Sequence, residues 1–243
     1  MSRDILSIVL PRLVATVMSL GLAIWALNGF MAHTASATVR MLAKAIEDGG
    51  QPKLDVLDQL HENDTSDRIL ARCDSTDLRA LAAVRLREID LAYVTADPAR
   101  ADRAGAAAEG AIRKALSCGP LDGNLWLRLA SLQTARFGPS PEALEFLRLS
   151  HWIAPSEGWI LRARVDFASR LLGAGLKSTE SELRSDIRTL VSFDSNSNIA
   201  DMFMTAPEAA RAIYREWIQL LPEERKRSLA RALERRGVDL TAP

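Results

Sequence analysis

The chain opens with an unbroken apolar stretch and continues with segments in which apolar residues recur every three or four positions. Residues 13–32 carry no charged side chain. At a rise of about 1.5 Å per residue, a helix of about 20 residues matches the roughly 30 Å hydrocarbon core of a bilayer. The pattern therefore predicts a transmembrane helix over residues 13–32.

The residues around this stretch predict its orientation. Trp25 and Phe30 lie where interfacial aromatic side chains anchor the outer end of a span. Arg3 and Arg12 favour a cytoplasmic segment 1–12, although Arg40 and Lys44 beyond the stretch weaken the charge asymmetry. We therefore expect a single-pass protein of the bacterial cytoplasmic (inner) membrane, with its N-terminus inside and its main domain periplasmic or otherwise extracytoplasmic.

A cleaved signal peptide is the alternative. Ala35-Ser36-Ala37 supplies the small residues that a signal peptidase requires, with cleavage after Ala37. The apolar stretch is longer than the usual signal-peptide core of about 7–15 residues, which favours retention. Both interpretations place the rest of the chain outside the cytoplasm.

Beyond the stretch, capping residues and Gly/Pro pairs divide the chain into helices. Helices are predicted to begin near Ser75, Asp122, Ser140, Ser156, Thr179, Thr205 and Pro222. Thr179 with Glu182, and Thr205 with Glu208, have the capping-box spacing. Leu78, Ala82, Leu86, Ile89 and Tyr93 form the apolar stripe of the first of these helices. The expected organisation is a connecting helical segment over 33–74 and a helical domain over 75–243, with irregular stretches at 97–107 and 195–204.

Two short segments look alike. NLWLRLA around Trp126 and EGWILRA around Trp159 place Trp and Ala at matching offsets, 33 residues apart. Ala143, Leu147 and Pro155 follow the first of them. This pattern resembles the tetratricopeptide repeat in degenerate form. The resemblance implies an all-α fold of antiparallel helical hairpins stacked as a short array, with a groove for a protein partner.

Composition supports an all-α fold and limits the function. Ala, Leu, Arg and Glu dominate, and 31 basic residues balance 31 acidic ones, so nothing indicates a nucleic-acid partner. His33, His61 and His151 are too scattered to hold a metal, and no phosphate-binding, nucleophile or cofactor motif occurs. We expect no metal, no cofactor and no catalytic residues. Cys73 and Cys118 are interpreted as small buried residues, with a disulfide as the alternative.

The segment from Leu147 to Phe167 is the most distinctive. It contains the candidate partner-binding residues His151, Trp152, Glu157, Trp159, Arg162 and Arg164. Trp and Arg dominate binding hot spots. Packing between hairpins is the alternative for both tryptophans, and it is favoured there.

The leading hypothesis is a non-catalytic adaptor or scaffold, anchored in the membrane, that binds a protein partner. Its architecture resembles accessory proteins of bacterial cell-envelope or polysaccharide assembly. One alternative is a structural subunit that packs through its transmembrane helix. The other is a periplasmic glycan-active enzyme using Glu157 or Asp166, which lie about 13 Å apart on a straight helix, farther than paired carboxylates act.

Overall fold

A computed structural model describes residues 3–62 and 65–238, with the side chains of 3–12, 28, 31–35, 54 and 61–62 left undescribed. Twelve α-helices and one short 3-10 turn, and no strand, occur in the described ranges. The prediction of an all-α fold is confirmed. The chain divides into two compact units, Met1–Lys114 and Ala115–Pro243.

The first unit is built around one helix. Its elements are α1 (Arg3–Glu47), α2 (Leu54–Glu62), α3 (Thr65–Leu70), α4 (Ser75–Val94) and most of α5 (Pro98–Cys118). Helices α1, α2 and α3 all contact α4. Leu78, Leu81 and Val84 of α4 are buried, so this helix forms the centre of the unit.

Helix α1 consists of two parts with different surroundings. Ser36, Val39 and Ala43 are buried at helical spacing, and the Arg40 guanidinium lies 2.6 Å from Asp77 on α4. Every residue from 13 to 27 is exposed. The later part of α1 therefore belongs to the core of the first unit, whereas the apolar part lies outside it.

The apolar part of α1 is exposed on all sides. Its exposed large side chains are Leu13, Val14, Val17, Met18, Leu20, Leu22, Ile24, Trp25, Leu27 and Phe30. At 100° per residue these positions surround the helix axis. No helix within the described residues is long and apolar enough to cross a membrane. The predicted span at 13–32 thus lacks support from the fold and stays a prediction.

The stripe predicted for α4 is partly wrong. Leu78 and Ala82 are buried, but Tyr93 is exposed. Arg85 and Glu88 are buried instead, and their side chains form a 2.9 Å ion pair. Because each charge satisfies the other, polar residues take positions on the buried face that a purely apolar pattern misses.

The second unit contains the end of α5 and seven further α-helices. These are α6 (Gly123–Phe137), α7 (Pro141–Ile153), α8 (Gly158–Gly173), α9 (Glu180–Phe193), α10 (Asn196–Thr205), α11 (Glu208–Gln219) and α12 (Glu223–Glu234). Helix α8 contacts α6, α7, α9 and α11, and α9 contacts α7, α10 and α11. Helices α8 and α9 therefore form the centre of this unit.

Several predicted helix starts are confirmed. Helix α4 begins at Ser75 and α9 follows Thr179. Asp122 and Ser140 are N-caps whose side chains accept hydrogen bonds from Leu125 N and Ala143 N. Because these oxygens satisfy amide groups that lack an intrahelical partner, the caps fix where the helices begin.

Both predicted capping boxes are wrong. The Thr179 hydroxyl donates to the Leu176 carbonyl of the preceding turn, and Thr179 makes no cap bond. Thr205 ends α10, where its hydroxyl donates to backbone carbonyls of its own helix. Pro207 is the N-cap of α11. Each hydroxyl is engaged by the element before it, which removes it from the cap.

Other sequence expectations also fail. The stretches expected to be irregular are helical, because α5 begins at Pro98 and α10 follows the N-cap Ser195. Helix α8 begins at Gly158 with Glu157 as N-cap, two residues after the start predicted near Ser156. Cys73 is exposed and Cys118 half-buried, so neither is a small core residue, and neither is a free thiol.

Candidate functional site

The candidate site surrounds the turn that joins α7 to α8. Helix α7 ends at Ile153 and α8 starts at Gly158. Glu157 is the N-cap of α8: its carbonyl accepts from Leu161 N at 2.8 Å, while its exposed side chain makes no cap bond. Residues 151–164 thus span the end of one helix, a short turn and the start of the next.

Arg164 lies in the interior, not at a surface. Its side chain is 1% exposed, and its Nε and second terminal nitrogen donate to the two carboxylate oxygens of Asp186 on α9 at 2.6 and 2.9 Å. The other terminal nitrogen donates to the carbonyls of Ser150 and Ala154, each at 3.1 Å. The prediction that Arg164 contacts a partner is therefore corrected, because no partner can reach it.

His151 completes this buried cluster. Its Nδ1 lies 2.8 Å from the Asp186 carboxylate, and its side chain is about one-quarter exposed. Asp186 on α9 thus receives hydrogen bonds from Arg164 on α8 and faces His151 on α7. The cluster joins three helices, and it explains why a charged pair is tolerated in the interior.

Trp152 and Trp159 are exposed. Trp152, in the last turn of α7, is 76% exposed, and Trp159, in the first turn of α8, is 54% exposed. The interpretation that both pack between hairpins is wrong. More than half of each ring surface faces solvent, so two large rigid apolar surfaces are open to contact.

A third exposed aromatic side chain lies close to the start of α8. Phe193, the last residue of α9, is 50% exposed. A Cβ on Gly158 would lie 3.5 Å from Phe193 Cε2, so the ring lies against the residue next to Trp159. We name Trp152, Trp159 and Phe193 the turn aromatics. They occupy the ends of three consecutive helices.

Arg162 lies beside the turn aromatics and is held in place by an ion pair. Its terminal nitrogen donates to both carboxylate oxygens of Asp194 at 3.1 and 3.2 Å, and the side chain stays partly exposed. Burial opposes ionisation of Asp194, yet hydrogen bonds from Asn198, the Ser195 amide and Arg162 hold its pKa below the usual value. The guanidinium is therefore fixed in position while part of it faces solvent.

The carboxylates considered for catalysis do not meet. Glu157 precedes α8, and Asp166 lies within it, about 13 Å further along the helix axis. Asp166 is half-exposed and forms a 2.7 Å ion pair with Arg170 on the next turn. This geometry is that of a solvated helix face.

Sequence reasoning missed Asp186, Asp194 and Phe193. Asp186 carried a detectable signal, because it lies between Leu183, Ile187 and Leu190 on the buried face of α9. An acidic residue within an apolar stripe indicates a buried partner. Phe193 carried no such signal, since its exposure follows from its position at a helix end.

Comparison of the chain with protein-family models, curated proteins and solved structures found no match.

Proposed function

We propose that the chain is a non-catalytic adaptor held in the cytoplasmic membrane by residues 13–32, with its helical units outside, where it binds a protein partner in cell-envelope or polysaccharide assembly. The observation that carries the proposal is the exposure of apolar side chains around the whole circumference of α1 between Leu13 and Phe30. A helix that is apolar on every side is stable when lipid or the core of a large assembly surrounds it.

The energy involved is large. Removing a large apolar side chain from water contributes about 1.5–3 kcal/mol, so ten such side chains amount to roughly 15–30 kcal/mol. Residues 13–27 are all exposed, so packing against the described side chains of the first unit does not recover this energy. A bilayer supplies it, and the helical backbone satisfies its own hydrogen bonds there.

Recurrent polar contacts support a short tetratricopeptide-type array in the second unit. Arg148 on α7 donates to Glu182 on α9, 34 residues later, and His151 contacts Asp186 at a separation of 35. Arg184 on α9 donates to Glu216 on α11 across 32 residues. Similar separations, here 32 to 35 residues, are expected when hairpins stack at a period near 34 residues.

The turn aromatics are the proposed partner contact, together with Arg162. Exposed tryptophan and a held guanidinium supply a rigid apolar area with a planar donor beside it. Arg162 is held in place by Asp194, so little side-chain entropy is lost when a partner binds. Anchoring in the membrane raises the local concentration of such a partner, and modest contacts then suffice.

The anchor is tested by Leu20→Arg. A charged residue near the centre of a span costs about 2.5–3.5 kcal/mol or more, so the variant should shift from the carbonate-resistant membrane fraction towards the soluble fraction. Leu220→Arg is the matched control, because Leu220 is similarly exposed, at 68% against 62% for Leu20, but lies on the second unit. Unchanged membrane retention of Leu20→Arg would count against the proposal.

The partner contact is tested by a photo-crosslinking amino acid at Trp152 in native membranes. The expected result is a specific protein adduct that disappears when Trp159→Ala is added, while a probe at Leu220 gives no such adduct. An adduct that persists in Trp159→Ala would place the contact elsewhere. Exchanging residues 13–32 for an unrelated span separates an adaptor from a subunit that packs through its anchor, since the adaptor should keep its adduct.

A further inference from the structure

Helix α1 runs without interruption from the apolar stretch into the core of the first unit. It extends over 45 residues, from Arg3 to Glu47. No glycine or proline occurs between Met31 and Glu47. Ser36, the first buried residue among the described side chains of α1, follows the exposed Phe30 by six positions, or about 9 Å of helix. No flexible stalk separates the two parts.

We propose that the first unit is held in one fixed orientation, close to the bilayer surface, because its own core helix is the continuation of the membrane anchor. This inference rests on the proposed anchoring by residues 13–32. It adds that the connection is rigid, so that the tilt and rotation of the anchor set the orientation of the unit.

The packing of α1 against α4 makes the connection rigid at its outer end. Val39 is 0% exposed and Ala43 5%, and the Arg40 guanidinium is 2.6 Å from the buried Asp77 carboxylate. Rotation of α1 would expose the two apolar side chains and separate this ion pair. The later part of α1 cannot turn independently of the unit.

The short bridge between the two parts is stabilised from both ends. Residues 31–35 connect a helix end in lipid with a helix end packed on α4. Nucleation is the costly step of helix formation. Because helical turns already exist on both sides of residues 31–35, these residues only extend an existing helix. A flexible five-residue linker would instead leave an end-to-end distance of roughly 12 Å free to vary in every direction.

The test is a pair of spin labels introduced as unnatural amino acids at Leu22 in the apolar stretch and Asp90 on α4, with the full chain in nanodiscs of phosphatidylethanolamine and phosphatidylglycerol. Both side chains are well exposed. Double electron–electron resonance should give one narrow distance distribution. Oxygen and nickel-chelate accessibility at Leu22 reports separately whether this residue lies in the bilayer.

Two insertions between Ala32 and His33 provide matched controls. Seven alanines add almost two full turns, so the distribution should stay narrow and its mean should change by up to about 10 Å. Seven residues of Gly-Ser-Gly-Ser-Gly-Ser-Gly should broaden it, because they interrupt the helix. A wild-type distribution as broad as that of the Gly/Ser variant would overturn the rigid connection. A water-accessible Leu22 would instead remove the anchoring on which it rests.

Discussion

Replacing Asp186 with asparagine tests the buried cluster that joins α7, α8 and α9. Asp186→Asn keeps the shape of the side chain but removes its charge and turns one acceptor into a donor. The Arg164 guanidinium, 1% exposed, would then be an unpaired buried charge with one of its 2.6 and 2.9 Å hydrogen bonds lost. Breaking one side of a buried pair costs about 3–5 kcal/mol.

A loss of this size is a large share of the total stability of a protein, which is about 5–15 kcal/mol. The assay is urea unfolding of the full chain in detergent, followed by far-ultraviolet circular dichroism. Asp166→Asn is the control, because it breaks an ion pair with Arg170 whose side chains are 49% and 64% exposed. Its expected cost is below about 1 kcal/mol.

The double variant Arg164→Met/Asp186→Leu separates charge burial from side-chain packing. It removes both charges, so it should be less destabilised than Asp186→Asn alone. The reasoning is refuted if Asp186→Asn costs no more than Asp166→Asn. It is also refuted if the double variant is the least stable of the three.

Three further predictions concern other side chains of the second unit. The Tyr214 hydroxyl is fully buried without a hydrogen-bond partner in the described residues, so Tyr214→Phe should be as stable as wild type or more stable by up to about 1–3 kcal/mol in urea unfolding; a loss above 1 kcal/mol would contradict this. Trp152→Ala should change the free energy of unfolding by less than about 0.5 kcal/mol, because the ring is exposed. Trp126→Ala should cost several times more, since that ring packs 5.4 Å from the Phe146 ring. Equal losses in the two variants would contradict the exposed position of Trp152. The lowered pKa of Asp194 stabilises the fold above the unfolded-state pKa of about 3.9, and this contribution is lost as pH falls through the folded-state pKa. The stability difference between wild type and Asp194→Asn should therefore shrink when unfolding is measured at pH 3 rather than pH 6, and a constant difference would contradict it.

The helix boundaries set by local chemistry were accessible from the sequence. Asp122 and Ser140 act as N-caps as predicted, because a cap depends on amide groups two or three residues away. The predicted capping box at Thr205 is wrong, and the cause is again a local hydrogen bond. The residues after it suggested a cap, but the preceding stretch forms α10, and the threonine hydroxyl bonds within that helix.

The interactions between helices were not accessible. Arg164 and Asp186 are 22 residues apart on different helices, so although Asp186 lies within an apolar stripe, the sequence does not show which residue pairs with it. Only the packing of α7, α8 and α9 brings them together and buries them. The packing of α6 against α7 places Trp126 beside Phe146, whereas Trp159, chosen as its repeat counterpart, is exposed.

Equal spacing in the chain does not place Trp126 and Trp159 at equivalent positions of their helices. Trp126 follows the N-cap of α6 by four positions, whereas Trp159 follows the N-cap of α8 by two. The two tryptophans are 33 residues apart without being equivalent in their helices. The spacing of the two tryptophans predicts the approximate number of residues in one helical hairpin. The positions where α6 and α8 begin determine which of their residues are equivalent.

Protease protection of the full chain, carrying a C-terminal epitope in bacterial cells, tests the proposed location and anchor together. Protease added to intact cells should leave the epitope untouched. Protease added to spheroplasts should remove it, while residues 1–32 remain in the membrane fraction. An epitope that survives in spheroplasts and is lost only after the cytoplasmic membrane is lysed would contradict the proposed location. Complete release of the untreated chain from membranes would contradict the anchor.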